Sequence, residues 1–184
     1  MIKPYLFAGA VTVGLVTGCA TENNRVPEPT YETAAKSDFV ASNYRVADAL
    51  IEQFRSGADG GPLIVATVVN IDALDQSSTL GRLISEQISA RFSQRGFSMI
   101  EMKFRSNVYM RKGEGELVLT REIAELARVN KAQAVILGSY GTSGSAVYVN
   151  MKIVQPGSNY VLAAYDYVLP ANGEIRSMLS RANR

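Results

Sequence analysis

The residues with the clearest chemistry are Val16-Thr17-Gly18-Cys19, and Cys19 is the only cysteine in the chain. They end an apolar run that begins just after Lys3. A short basic start, an apolar stretch and small residues at its end are typical of a secretory signal. The thiol of Cys19 is a soft nucleophile that can take a diacylglycerol as a thioether, and small neighbours leave the preceding bond open to an intramembrane peptidase. The pattern predicts a bacterial lipoprotein signal that is cleaved between Gly18 and Cys19.

The alternative to lipidation is an ordinary signal peptide or a transmembrane anchor with an incidental cysteine. The apolar stretch from Tyr5 to Val16 is short for an anchor, because a helix needs about 20 apolar residues to span a bilayer. We therefore expect membrane lipid as a partner through acylated Cys19. An aspartate after the lipidated cysteine commonly retains a lipoprotein in the inner membrane, and Ala20 stands there instead. The sequence thus favours the outer membrane, with the folded part facing the periplasm.

The composition excludes several classes of function. The chain has no histidine, and its one cysteine is assigned to lipid, so Ser-His-Asp and Cys-His triads, Cys/His zinc sites and disulfides are excluded. We therefore expect no enzyme activity, no metal and no cofactor. Loss of Lys3 with the signal leaves 18 basic against 17 acidic residues, a net charge of +1. Nucleic-acid binding requires a clustered basic surface, so we expect no nucleic-acid partner.

The chain divides into three parts. Residues 1–18 are the predicted signal, residues 19–36 hold Cys19 and a tether, and residues 37–184 form one periplasmic domain. The tether is polar and proline-containing, and it has too few large apolar residues to fold by itself.

The first half of the domain predicts a β-α-β unit after an initial helix. Ser37 or Asp38 can cap that helix, and Leu63 to Val69 is an apolar run typical of a buried central strand. A second helix runs from Ser78 to Gln94, and Gly96 fits the left-handed position that follows many helices. A strand follows from Phe97 to Phe104. Helical spacing assigns these residues to the core: Phe39, Val40, Tyr44, Ala47, Leu50, Ile51 and Phe54 in the first helix, and Leu80, Leu83, Ile84, Ile88 and Phe92 in the second.

The second half predicts a third helix from Thr120 to Asn130 and a buried strand from Ala134 to Gly138, parallel to the first strand. The period then changes to two, which indicates an antiparallel hairpin. The hairpin strands include Val147–Ile153 and Tyr160–Val168, with turns at Gly141–Ser145 and Pro156–Asn159, and Asn172 caps a final helix. The fold class is therefore α/β with mixed α+β character, a mixed sheet of about five strands with helices packed on it.

Two groups of polar residues could form a site. Asn70, Asp72 and Asp75 follow the first strand and precede Ser77 at a helix start, where a small ligand or anion could bind. A capped strand-to-helix loop explains the same residues, since no glycine-rich fingerprint accompanies them. The paired carboxylates Glu114 and Glu116 lie in a polar stretch and are interpreted as solvated.

Tyrosines are concentrated near the last two strands. Tyr148, Tyr165 and Tyr167 are possible interface residues, because tyrosine provides a large contact area. Tyr148 and Lys152 are expected on one face of their strand, and Tyr165 and Tyr167 on one face of the next. The preference of tyrosine for half-exposed sheets explains the cluster equally well.

Several stretches of the domain together carry a family resemblance. They are VASNYRVADAL, the run from Leu63 to Val69, QSSTLGRLISEQISARFSQRGF, LTREIAELA, AQAVILGSY and VYVNMKIV. Over Asp38 to Leu169 the chain resembles the FlgO family, and the Ser-Ser-x-Leu-Gly-Arg stretch that begins at Ser77 is the most specific part.

The resemblance implies an outer-membrane lipoprotein of polarly flagellated Gram-negative bacteria that is needed for motility. It also implies partners among flagellar ring or basal-body proteins, and a homo-oligomer is possible. The family supplies no catalytic residues. Two alternatives stay open: a lipoprotein that regulates a periplasmic cell-wall enzyme, and a subunit of a secretion or export ring.

Overall fold

A computed structural model describes residues 37–54, 60–74, 76–100 and 121–180. In chain order its elements are α1 (Phe39–Phe54), β1 (Leu63–Val65), β2 (Val69–Asn70), α2 (Thr79–Gln94), β3 (Met99–Ile100), α3 (Arg121–Val129), β4 (Ala134–Ser143), β5 (Ala146–Val154), β6 (Val161–Pro170) and α4 (Gly173–Ser180). The predicted lipid site at Gly18 and Cys19 lies outside these residues, as do Asp75, Glu114, Glu116 and Thr120.

The strands form one mixed sheet in the order β3-β1-β4-β5-β6, with β2 paired to β4 beyond the end of β1. β3, β1, β2 and β4 are parallel where they pair, whereas β5 and β6 are antiparallel to their neighbours. This arrangement confirms the predicted fold class, the parallel start and the antiparallel hairpin.

The described sheet has six strands because the run from Leu63 to Val69 is interrupted. Val65 pairs with Ile136 and Val69 pairs with Ser139, so three residues of this run lie opposite two residues of β4. One extra residue on one side of a ladder is a bulge, which bends the strand. The prediction of a single continuous strand is therefore wrong at residues 66–68.

The sheet is covered on both faces. The larger core lies between the sheet and helices α1, α2 and α4, and its buried side chains include Leu50, Phe92, Ile136 and Met151. The smaller core lies on the other face, where α3 packs over β1 and β4.

Two residues assigned to the core are exposed. Leu83 is 37% exposed and Val40 is 46% exposed. On α2 the buried stripe includes Gly81, Ser85 and Ser89, because small residues let this helix lie close to the sheet. The face of α2 that contacts the sheet is therefore turned away from Leu83. The pattern of apolar residues in the sequence does not show this rotation.

The residues at the ends of the helices and strands adopt most of the cap and turn conformations that the sequence predicts. Gly96 has φ +89, the left-handed conformation expected after a helix, and Asn172 Oδ1 accepts a hydrogen bond from the Ile175 N–H at 2.9 Å. The first hairpin turn is shorter than predicted, because β4 continues to Ser143 and leaves Gly144 and Ser145 to turn.

Candidate functional site

The polar groups of the loop after β2 form hydrogen bonds with one another and with the neighbouring backbone. The Asp72 N–H donates to Asn70 Oδ1 at 3.0 Å, and the Asn70 N–H donates to the Gln76 carbonyl at 2.9 Å. Ser77 Oγ donates to the Val68 carbonyl at 2.7 Å. Asp72 itself is exposed. Among the described residues this geometry is that of a capped loop rather than a ligand pocket.

The start of α2 holds the bulge in place. Ser85 Oγ accepts a hydrogen bond from the Val68 N–H at 2.9 Å and lies 3.1 Å from the Ala66 carbonyl oxygen. Ser78 caps the helix by accepting from the Gly81 N–H. A Cβ atom on Gly81 would lie 2.1 Å from the Val68 carbonyl oxygen, so no side chain fits there. The Ser-Ser-x-Leu-Gly-Arg stretch therefore builds the fold and not a reactive site.

A chain of polar side chains links α1, α2 and β6 inside the larger core. Tyr167 donates its hydroxyl to Asn43 Oδ1 at 2.6 Å, and Asn43 Nδ2 donates to Gln87 Oε1 at 2.6 Å. Asn43 is fully buried, and burial raises the pKa of the Tyr167 phenol well above its usual range. The hydroxyl of Tyr167 is thus an internal hydrogen-bond donor. The sequence pattern does not predict this network, because an asparagine in a helix gives no periodic signal.

The tyrosines of the hairpin lie on two different faces. Tyr148 and Lys152 share one face of β5, and Tyr165 and Tyr167 share one face of β6, as predicted. Tyr165 pairs with Met151 and Tyr167 with Val149, so both lie on the face that packs against α1. Tyr148 lies on the opposite face and is 57% exposed. The structure therefore does not bring the three predicted interface residues onto one surface.

The face that carries Tyr148 has an exposed apolar surface. Exposed side chains of Ile71, Tyr148 and Val168 border a shallow cavity of about 300 Å³. Its polar part is the hydrogen bond from Asn150 Nδ2 to Asp166 Oδ1 at 2.5 Å. Apolar side chains around one polar pair favour contact with another protein surface.

A charged cluster connects α1 to α2. Asp48 contacts Arg91 at 2.7 Å and Arg95 at 2.8 Å, and the Arg91 guanidinium lies 5.2 Å from the ring centre of Tyr44. Hydrogen bonds from Arg91 and Arg95 lower the pKa of Asp48 to about 2. The cluster is fully paired and joins two helices, so its role is structural.

A wider cavity of about 770 Å³ lies beside the end of α3. Arg128, Lys131 and Gln133 line it, and Glu125 pairs with Arg128 at 2.5 Å. Gln133 Nε2 donates to the Gly61 carbonyl. This lining contains no nucleophile paired with a base.

The described residues contain no group of three or more acidic, histidine or cysteine side chains that could hold a metal ion. Within the same residues, none of the helices combines the length and the apolar character that crossing a membrane requires.

Comparisons with known proteins agree with this architecture. The model of the FlgO protein family matches residues 44–174. Among solved structures, the LpoB C-terminal domain from Salmonella enterica aligns with a TM-score of 0.51 and 16% identity, over 72% of this chain and 98% of that one. The LpoB C-terminal domain from Escherichia coli aligns with a TM-score of 0.50 and 15% identity, over the same shares of the two chains. No curated protein matches the sequence.

Proposed function

The chain belongs to the FlgO family, and we propose that it is an outer-membrane lipoprotein that serves as a structural component of the flagellar envelope rings and is required for motility. The observation that carries the proposal is the family match, which spans the domain from the middle of α1 to the start of α4.

The signal sequence supports the anchored part of the proposal. Acylated Cys19 would hold the protein at the membrane, and the polar segment from Ala20 to Lys36 would let the domain stand away from the lipid surface. An extended segment of 17 residues reaches at most roughly 55–60 Å. That reach is sufficient for the domain to meet neighbouring envelope proteins in the periplasm.

The proposed action is contact and not catalysis. The chain has no histidine, and the paired groups of the described residues join elements of the fold. The Tyr148 surface, with Ile71 and Val168, is the surface proposed to meet a ring or basal-body protein. Tyr165 is a second proposed contact, on the other face, whereas the hydroxyl of Tyr167 donates to Asn43.

Deletion of the gene in the source bacterium tests the proposal. We expect swimming to be lost while cell shape and wall synthesis stay normal, and a fluorescent fusion to form a focus at the flagellar base. Normal swimming, or an even envelope signal in flagellated wild-type cells, would contradict the flagellar role.

Lipidation is tested by Cys19→Ser, since a hydroxyl does not replace the thiol nucleophile. We expect the variant to take up no clickable fatty acid and to stay unprocessed or leave the outer membrane. Thr17→Ser keeps the thiol and a small side chain, and it should label like the wild type. Equal labelling of Cys19→Ser and the wild type would show that Cys19 is not the acylated residue.

A second candidate function is the regulation of a periplasmic cell-wall enzyme by the lipid-anchored domain. The observation that favours it is the fold shared with the two LpoB C-terminal domains. The deletion strain separates the two candidates, because this function predicts a defect in wall synthesis in cells that still swim. Loss of an exported product in cells with normal swimming and normal wall synthesis would instead favour a secretion or export ring.

A further inference from the structure

Among the strands of the described residues, β6 forms one edge of the sheet over ten residues. In an antiparallel ladder every second residue points its N–H and C=O groups to the same side. The groups of Ala164 point away from β5, where the Gln53 side chain meets both of them: Gln53 Nε2 donates to the Ala164 carbonyl at 3.2 Å, and the Ala164 N–H donates to Gln53 Oε1 at 3.3 Å. The side-chain amide therefore occupies the place of a neighbouring strand.

We propose that β6 pairs antiparallel with β6 of a second copy about a two-fold axis at Tyr165, and that Gln53 closes this edge until the second copy displaces it. The two sheets then form one continuous sheet. The pairing does not depend on the flagellar role, since it follows from the edge itself.

Charge selects the register of this pairing. With the axis at Tyr165, Ala164 lies opposite Asp166 of the second copy, and Lys152 is the neighbour of Ala164 on β5. The small Ala164 lets Lys152 reach across to that carboxylate, and symmetry makes the contact twice. An axis at Asp166 would instead place two carboxylates directly opposite each other, which destabilises a ladder.

The apolar residues fit the same register. Leu162 and Val168, both exposed in the single chain, come to lie opposite each other across the axis. Leu162 is the extra residue at an irregularity of β6, where Ala163 pairs with Ile153 and Val161 with Val154, so this contact lies at the limit of the regular ladder. Tyr165 is 38% exposed and lies opposite itself, so the axis carries an aromatic cross-strand pair. An axis at Tyr167 would place Ala164 opposite Pro170, which has no N–H to donate.

The exchange at Ala164 makes the pairing weak in free solution. Each copy gives up two hydrogen bonds to Gln53 and gains two to the second strand, so the net gain comes from the flanking residues. Confinement of both copies to one membrane raises their effective concentration and favours the pair. Removal of the Gln53 amide is expected to raise the dimer-to-monomer ratio by roughly tenfold.

Cysteine cross-linking of the full chain in the cell envelope tests the pairing. Opposed residues that do not exchange hydrogen bonds lie about 4.5 Å apart between Cα atoms, a separation that a disulfide spans. Tyr165→Cys is therefore expected to form a disulfide dimer on non-reducing gels. In the matched control, Tyr160→Cys, the exposed position lies roughly 33 Å from its equivalent along the paired strands, and the dimer should stay at the wild-type level. Equal dimer from both variants, or none from Tyr165→Cys, overturns the proposal.

Charge variants in the Tyr165→Cys background test the register and the role of Gln53. Lys152→Asp alone and Asp166→Lys alone should each lower the dimer fraction, whereas the two together should restore it. Gln53→Ala should raise it. If the double variant has no higher dimer fraction than the single variants, the assigned register is wrong. If Gln53→Ala leaves the dimer fraction unchanged, Gln53 does not close the edge. Both outcomes can be read in cells that swim normally.

Discussion

Individual polar side chains in this domain form hydrogen bonds with other buried polar groups. Asn43 and Tyr167 form the clearest pair, since each is held by the other and Asn43 also reaches Gln87 on α2. Such a chain fixes how α1 lies on β6, because a shift of the helix would leave buried polar atoms without partners.

The first prediction concerns Tyr167. Tyr167→Phe removes the hydroxyl and leaves Asn43 Oδ1 buried without a donor, so the free energy of unfolding should fall by about 1–3 kcal/mol. Tyr148→Phe, on the open face, is the control and should change it by less than about 0.5 kcal/mol. Urea unfolding of the purified protein measures both. Equal effects would mean that the Tyr167 hydroxyl is not a buried donor.

The paired carboxylate of Asp48 makes the stability of the domain depend on pH. Its pKa is about 2 in the folded chain and near 3.8 when unpaired, so its stabilising contribution is present above about pH 4 and is lost as the pH falls towards 2. Because the side chain is 33% exposed, solvent screening limits the contribution to about 1 kcal/mol. Asp48→Asn should lower stability at pH 6 and match the wild type near pH 2. A constant difference across this range would contradict the assignment.

At the scale of elements, the close contact between α2 and the bulge organises the parallel half of the sheet. Gly81 lies against the Val68 carbonyl, and Ser85 satisfies the Val68 N–H that the interrupted strand leaves unpaired. The helix thereby replaces the hydrogen bonds that a regular ladder would make at this point.

Gly81→Ala tests that contact. Alanine favours helices by about 1 kcal/mol over glycine, but its Cβ atom would overlap the Val68 carbonyl and Ser77 Oγ. Overpacking should dominate and destabilise the domain by about 1–3 kcal/mol. Gly144→Ala is the matched control, since an added Cβ meets nothing within 4 Å there. A more stable Gly81→Ala variant would show that the helix moves freely away from the strand.

Charged substitutions test which face of α2 packs against the core. Ile88 is fully buried, so Ile88→Asp places an unpaired carboxylate in the core, at a cost of about 3–5 kcal/mol. Leu83 is partly exposed, and Leu83→Asp should cost about 1 kcal/mol or less. Thermal melting followed by circular dichroism compares the two. Equal losses would place Leu83 in the core after all.

At the scale of the whole molecule, the sheet has two unlike ends. The β3 side is parallel and carries the helical crossover, whereas the hairpin side ends in an exposed strand with apolar side chains on both of its faces. The surfaces proposed for contact, around Tyr148 and along β6, both belong to the hairpin side. A lipid-anchored protein of this form would present that side to its neighbours.

The class of fold and the order of the elements follow from patterns in the sequence. Helical and alternating periods of apolar residues indicate which side chains face the core. The parallel and antiparallel halves of the sheet were predicted from these periods. The family was also readable, because the stretch from Ser77 to Arg82 is specific in its residue types. Lipidation at Cys19 is likewise a prediction of sequence alone, and it lies outside the described residues.

Several features of the domain depend on long-range contacts and are visible only in the folded chain. The bulge at residues 66–68 depends on Ser85 and Gly81 reaching Val68, and the exposure of Leu83 follows from the same close approach. The separation of Tyr148 from Tyr165 needs the pairing register of β5 and β6. Local patterns cannot report these features, because each depends on atoms that are far apart in the chain and meet only when the sheet and helices pack.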